Sequence, residues 1–340
     1  PISAETEIFP TNKSIQPNVI FWKKIYSEYS SRQGVIHDSK NLNIIYEVIE
    51  LKDAGHPRGR RINKKRIKAT KSKYQSILQK LSQVGSATLL KPEEQRIAEM
   101  FGGDARSSDF KQARRLIRCQ VGQMDRFRKG IIRSGGYLDE IRRIFRHHGV
   151  PLDLAFLPHV ESSFNPDAYS KFGAAGEWQF TRSTGRLYMT INYTIDERRD
   201  PIRASHAAAK LLKRNYSKLN SWPMAITAYN HGLSGMLRAQ RKHGHYENVF
   251  NNYRSRTFKF ASRNFYSEFL AARAVADNYQ QYFGDLTLNT PIKTKEITLT
   301  GYTSIPNLCL LYTSPSPRDF SCNLVCRLGL GKGGGGGGGG

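Results

Sequence analysis

The sequence predicts an all-α protein with short loops, and three observations carry that prediction. Beyond Tyr74 apolar residues recur at helical spacing almost without relief, as in Ile77, Leu78 and Leu81. The run Ala204-Ser205-His206-Ala207-Ala208-Ala209-Lys210-Leu211-Leu212 is a strong helix former. Further on, Phe265, Phe269, Ala272, Ala276, Tyr279 and Phe283 step by four and three residues, the mark of one long packed helix.

Residues 1–16 are polar and read as an unanchored lead-in. From Asn18 an amphipathic run places Phe21, Trp22, Ile25, Tyr26 and Tyr29 on one helical face, and Gly34 is expected to end it. Residues 41–51 (NLNIIYEVIEL) fit a strand or a buried helix, and periodicity does not decide. Residues 53–74 (DAGHPRGRRINKKRIKATKSKY) form the steepest charge run, expected as a solvated linker and helix face. Pro92 sits where a first helical turn begins. Leu138, Ile141, Ile144 and Phe145 mark another helix, closed by His147-His148-Gly149. The paired histidines suit a helix C-terminus, which favours positive charge, and no acids or cysteines cluster with them to suggest a metal. Residues 196–201 (DERRDP) read as a polar turn, and Trp222-Pro223 opens the helix carrying Ala228, Tyr229 and Asn230.

At 340 residues the chain can bury one large core or two modest ones. A formal net charge of +25 suggests nucleic acid, an anionic membrane surface or an acidic polymer as partner. No apolar run approaches the roughly eighteen residues a membrane-spanning helix needs. No signal peptide is visible, and a start at Pro1 reads as a fragment. The far end reads as translated sequencing adapter: CLLYTSPSPRD at 309–319, primer-derived NLVCR at 323–327, then a glycine run. Residues 308–340 are therefore expected to form no domain, which sets aside Cys322 and Cys326 as half a zinc site and GLGKGGGG as a phosphate loop. Cys119 is then left alone, without a disulfide framework. Discounting Arg318, Arg327, Lys332 and Asp319 lowers the charge by two, to +23, so the basicity stands.

The chemistry concentrates in residues 159–180, HVESSFNPDAYSKFGAAGEWQF. Pro151 suits a first helical turn, and Leu152, Ala155, Phe156 and Val160 recur at helical spacing. Glu161 then ends a largely buried helix, where the helix dipole and burial both raise a carboxyl pKa toward what a general acid needs. Asn165-Pro166 forms a turn, and the small residues Gly173 to Gly176 let a backbone approach a bulky ligand. Asp167 reads as a turn-stabilising aspartate, and Trp178 as core packing.

This stretch resembles the soluble lytic transglycosylase domain of the goose-type lysozyme group, whose pattern is E-S-x-F-N-P followed by G-A-x-G-[LI]-[WM]-Q. A later A-Y-N-x-G is matched by Ala228-Tyr229-Asn230-His231-Gly232, and the likeness covers roughly residues 17–307. One departure stands out: position 177 is Glu, where the family usually has an apolar residue. The resemblance implies a lysozyme-like helical catalytic domain at 136–307, centred on residues 136–284, after a helical extension at 17–135. It implies a single-acid reaction on the glycan strands of peptidoglycan, without cofactor or metal. Glu161 would protonate the bond between N-acetylmuramic acid and N-acetylglucosamine. The same residue, now a base, would draw the proton from the muramic acid 6-hydroxyl, closing a 1,6-anhydro ring. Ser170, Gln179 and Tyr229 would bind sugar beside it, and Asn230 would tie backbone. It further implies a periplasmic location, with anchoring ahead of residue 1 and LysM repeats past the C-terminus as features of relatives. A hydrolase, a non-catalytic peptidoglycan-binding module and a nucleic-acid binder are the rivals; the last lacks a recognisable binding motif.

Overall fold

The computed structural model describes residues 8–83, 90–193 and 195–292. The expectations for residues 1–7 and for 293 onward, including the adapter-like end, lie outside the described residues. The chain divides into two units after Thr290, and every element below belongs to the first.

The fold is mostly helical, as expected, with one small sheet near the N-terminus. Helix α1 (Gln16–Ser27) is followed by strands β1 (Gln33–Asp38) and β2 (Ile45–Glu50). Then come α2 (Pro57–Leu81), α3 (Pro92–Glu99), α4 (Ser107–Leu116) and β3 (Ile117–Val121). The three strands are antiparallel in the order β2-β1-β3. Gly34 therefore does not end the first helix: α1 stops at Ser27, and Gly34 lies in β1 opposite Val121. The undecided run at 41–51 contains strand β2, preceded by a turn.

Strand β1 explains why periodicity misled there. Alternate side chains of a strand point to opposite faces, and this one is buried on both. Val35 joins one hydrophobic core and Ile36 another. The smaller core lies between the sheet and α2–α4, with Tyr46, Tyr74, Leu78 and Ile97. Helix α2 carries the basic run; its cations face solvent apart from ion pairs such as Lys73–Glu93 and Lys80–Glu94.

The larger core holds the rest: α5 (Met124–Ser134), α6 (Leu138–His148), a tight 3-10 turn at Leu152–Phe156, α7 (Leu157–Glu161) and the short α8 (Arg182–Gly185). After a second 3-10 turn at Glu197–Arg199 come α9 (Pro201–Leu219), α10 (Trp222–His231), α11 (Leu233–His243), α12 (Tyr246–Asn252), α13 (Phe260–Asp277) and α14 (Tyr279–Phe283). The helix expected to run unbroken through Phe283 divides at Asn278, whose backbone leaves helical geometry (φ −115°, ψ 34°). Gly149 closes α6 at φ 66°, the left-handed cap that glycine supplies at low cost.

Helix α1 packs on α13 and so shares the larger core. A buried polar knot joins them: Asn18 Nδ2 and Trp22 Nε1 both donate to Asn264 Oδ1, at 2.7 and 3.2 Å. Full pairing inside an apolar interface avoids the cost of stranding any of these groups. It also fixes α1 against the helix that reaches the candidate site.

Candidate active site

Glu161 is the last residue of α7, where the sequence places it. Sharp backbone turns follow: Ser163 and Phe164 both adopt positive φ (52° and 54°), as does Gln179 (47°). Residues held there cost of order 1–3 kcal/mol each and persist only when the surroundings over-determine them. The surroundings do so. Arg133 of α5 donates from Nε and Nη2 to the carbonyl of Ser163 (3.1 and 2.6 Å), and from Nε to that of Phe164 (3.1 Å). Gly130, one turn earlier, brings α5 close; a Cβ there would stand 3.0 Å from Ser163. Neither Arg133 nor Gly130 was suspected from the sequence.

The Glu161 side chain is half-buried, yet protein packs closely enough around its carboxyl that burial pushes it up to about 8. Tyr229 and Tyr26 lie near enough for the Glu161 charge to raise both phenols further, burial being the larger cause in each. A second carboxylate stands in the same neighbourhood. Glu268, on α13, is also half-buried and pushed up to about 8, first by burial and then by the charge of Glu161. Helix α13 packs directly on α7. Glu268 went unnoticed in the sequence because FASRNFYSEFLAAR reads as a packed helix; one acid among buried Phe265, Tyr266, Phe269 and Leu270 was the available signal.

Of the other expected residues, Ser170, Gln179 and Tyr229 bond to the segment that holds the small-residue loop. Ser170 Oγ accepts from the backbone N–H of Phe172 (3.3 Å) and of Ala174 (3.0 Å), so it shapes the loop. Gln179 donates from Nε2 to the carbonyls of Gly176 (2.8 Å) and Ala168 (3.3 Å). Tyr229 donates its hydroxyl to the Trp178 carbonyl at 2.8 Å and lays its ring parallel to Phe265. Asn230 accepts from Ser262 Oγ at 2.8 Å, joining α10 to α13 by a side chain rather than through backbone. Trp178 is fully buried, with Nε1 on Ser205 Oγ at 2.8 Å.

The DERRDP turn locks this loop from beneath. Buried Arg198 pairs with Asp196 (2.6 and 2.8 Å) and donates from Nη1 to the carbonyls of Gly173 (2.7 Å) and Phe180 (3.0 Å). Gly176, at φ 77°, passes so close that a Cβ would meet the Arg198 carbonyl at 1.8 Å. Only glycine fits there. Asp167 is exposed and ion-paired with Arg199.

Glu177 and His159 are among the buried side chains with atoms that lack a hydrogen-bond partner among the described residues. Both oxygens of Glu177 are unpaired, and the residue is 1% exposed. Both nitrogens of His159 are unpaired as well, in a box of Phe127, Phe156 and Phe164. Burial lowers the His159 imidazole to about 3, with the Arg133 charge adding to the effect, so it is neutral at pH 7. An unsatisfied buried polar group costs about 1–3 kcal/mol. His159→Phe should therefore raise the thermal unfolding midpoint by several degrees; a lowered midpoint would mean that the imidazole finds a partner in solution.

The geometry is that of a buried acid on a braced turn, and part of the chain around it is similar to known proteins. Residues 146–250 match the family described as Transglycosylase SLT domain. The resemblance to lytic transglycosylases is borne out over that segment. The membrane-bound lytic murein transglycosylase D of Escherichia coli (strain K12) is 37% identical over 112 residues, 32% of this chain and 24% of that protein. A protein of Alteromonas sp. (strain M-1), named for tributyltin chloride resistance, is 33% identical over 109 residues, covering 32% of this chain and 53% of its own length. Among solved structures, an inactive mutant of the lytic transglycosylase Slt from Pseudomonas aeruginosa aligns at TM-score 0.37 and 16% identity, over 52% of this chain and 28% of that one. The chain thus spans about a quarter of the Escherichia coli relative and about half of the Alteromonas protein.

Proposed function

We propose that the protein is a peptidoglycan lytic transglycosylase in which Glu161 is acid and then base. The carrying observation is the Glu161 carboxyl, raised by burial to about 8 at the end of α7. Such a group holds its proton at neutral pH and can deliver it to a glycosidic oxygen. Once ionised in a poorly solvated place, it is a base strong enough to take the proton of the muramic acid 6-hydroxyl. Closure of the 1,6-anhydro ring then needs no water. The family match over residues 146–250 supports this reading. Its substrate lies in the cell envelope, and so would the enzyme.

The supporting residues fit sugar binding by type. Gln179 spends its N–H groups on carbonyls, which leaves Oε1 to accept from an acetamido group. Ser170 spends its lone pairs on the loop and can still donate its proton. Tyr169 and Phe172 flank it with exposed rings, flat apolar faces that suit a sugar.

Glu268 favours a second reading, a hydrolytic muramidase. Two carboxyls in one neighbourhood could divide the roles of acid and base or nucleophile, and Glu268 is the candidate for the second role. Digestion of purified sacculi in ¹⁸O-labelled water separates the two. The expected products are 1,6-anhydromuramic ends free of label, with no new ends reducible by borohydride. Labelled, reducible ends that disappear in Glu268→Gln would establish the hydrolase instead.

A further inference from the structure

A concave face between α4 and the start of α13 is lined by six cations, Lys40, Lys111, Arg115, Arg254, Lys259 and Arg263, and by no carboxylate. Two pairs, Lys111 with Arg115 and Lys259 with Arg263, are spaced i,i+4, where like charges weaken a helix. Arg254 is held in place by its donations to the carbonyls of Tyr253 and Asn251 (2.9 and 2.8 Å). Arg263 Nε is buried without a partner among the described residues. Asp38 and Asp109 line the adjoining hollow, which shares Lys40, Arg254 and Arg263 with this face; one oxygen of each accepts from backbone, Asp38 Oδ1 from Lys40 and Asn41 N–H (2.7 and 2.8 Å) and Asp109 Oδ2 from Arg106 N–H (2.9 Å). Arg60, Lys64, Lys68 and Lys71 of α2 line a separate hollow with Arg126, whereas Lys73 and Lys80 pair with glutamates.

We propose that this face is a second binding site, for carboxylate groups, and that its ligand is the stem peptide of a glycan strand held at Glu161. The assignment rests on the peptidoglycan reading above. Phe260, on the wall of the face, and Glu268 lie eight residues apart on α13, about 12 Å along the axis. An extended peptide of about four residues covers that distance. Arg118 links the two places: its guanidinium stacks on Phe260 at 4.3 Å, and its charge reaches Glu268. A strand reacting at Glu161 can thus lay an anionic side branch along α13 into the cations. The Arg254 and Arg263 guanidinium groups offer planar N–H donors, and the exposed lysines and Arg115 offer charge.

The test uses soluble glycan strands with their stem peptides or stripped of them by an amidase, bound to full-length protein carrying Glu161→Gln to prevent digestion. Strands with stem peptides should bind about ten-fold tighter, the sum of several modest exposed ion pairs. Lys111→Glu, Arg115→Glu and Lys259→Glu together should abolish the preference, and the three Gln replacements should weaken it. An equal charge change on α2, Arg58→Glu with Arg61→Glu and Lys65→Glu, should leave it intact. Equal losses in both triple variants would reduce the effect to bulk charge and overturn the site. So would a preference that survives the triple Glu replacement on this face while duplex DNA binding is lost, which would make the face a nucleic-acid site. Turnover by the unmutated protein is scored separately: strands gripped through their peptides but never cut would end the catalytic reading and leave this site standing.

Discussion

Glu161→Gln is expected to leave the protein folded and to lower turnover of purified sacculi by about 10²–10⁴-fold, the contribution typical of general acid catalysis. The amide keeps the size of the carboxyl and removes only its proton chemistry. Stability should not suffer, because the carboxyl is raised to about 8 by burial and its ionised form is disfavoured where it sits. The pH profile supplies a second reading of the same group. An acid must carry its proton, so kcat/KM should hold through neutral pH and fall as pH rises through about 8. A fall centred near 4 to 5 would mean that Glu161 is solvated in the working enzyme. Substantial turnover by a folded Gln variant would move the chemistry elsewhere, with Glu268 the first place to look.

What the sequence could reveal depended on how each residue does its work. Glu161, Ser170, Gln179, Tyr229 and Asn230 lie in short ordered motifs, and their elements form where helical spacing and turn residues put them. The braces come from far along the chain and leave no local mark. Arg133 and Gly130 sit in an amphipathic helix, and only folding shows that they hold Ser163 and Phe164 in left-handed geometry. Glu268 was hidden by the helical period that made its segment easy to place. Strand β1 was not picked out for a related reason: buried on both faces, it lacks the alternation by which a half-exposed strand is recognised. DERRDP was legible as a turn, but its purpose, a buried Arg198 holding Gly173 and Phe180, depends on contacts up to 25 residues away.

Glu177→Leu should raise stability, and by more at pH 8 than at pH 5. The native side chain is 1% exposed with both oxygens unpaired. Burial pushes its carboxyl up to about 8; the Asp200 charge adds to the rise, and Arg133, whose Nε and Nη2 donate to the carbonyls of Ser163 and Phe164, only partly opposes it. In the unfolded chain the same group titrates near 4.3. Between those values the folded state holds a proton that the unfolded state has released, so folding weakens as pH rises and the loss is complete above about 8. Each unit of separation corresponds to about 1.4 kcal/mol, so the total is on the order of a few kcal/mol. Leucine has a similar volume, needs no partner and fills the position as the family's usual apolar residue does. Glu161 and Glu268 titrate in the same direction and keep their own pH dependence in the variant, so the comparison must be a difference between the two proteins at each pH. Unfolding midpoints at pH 5 and 8 provide it: a gain of a few degrees at the lower pH and a clearly larger one at the higher is expected. The same gain at both would mean that the Glu177 carboxyl titrates normally, and a loss at both would mean that it is satisfied by a partner whose removal costs more than its burial.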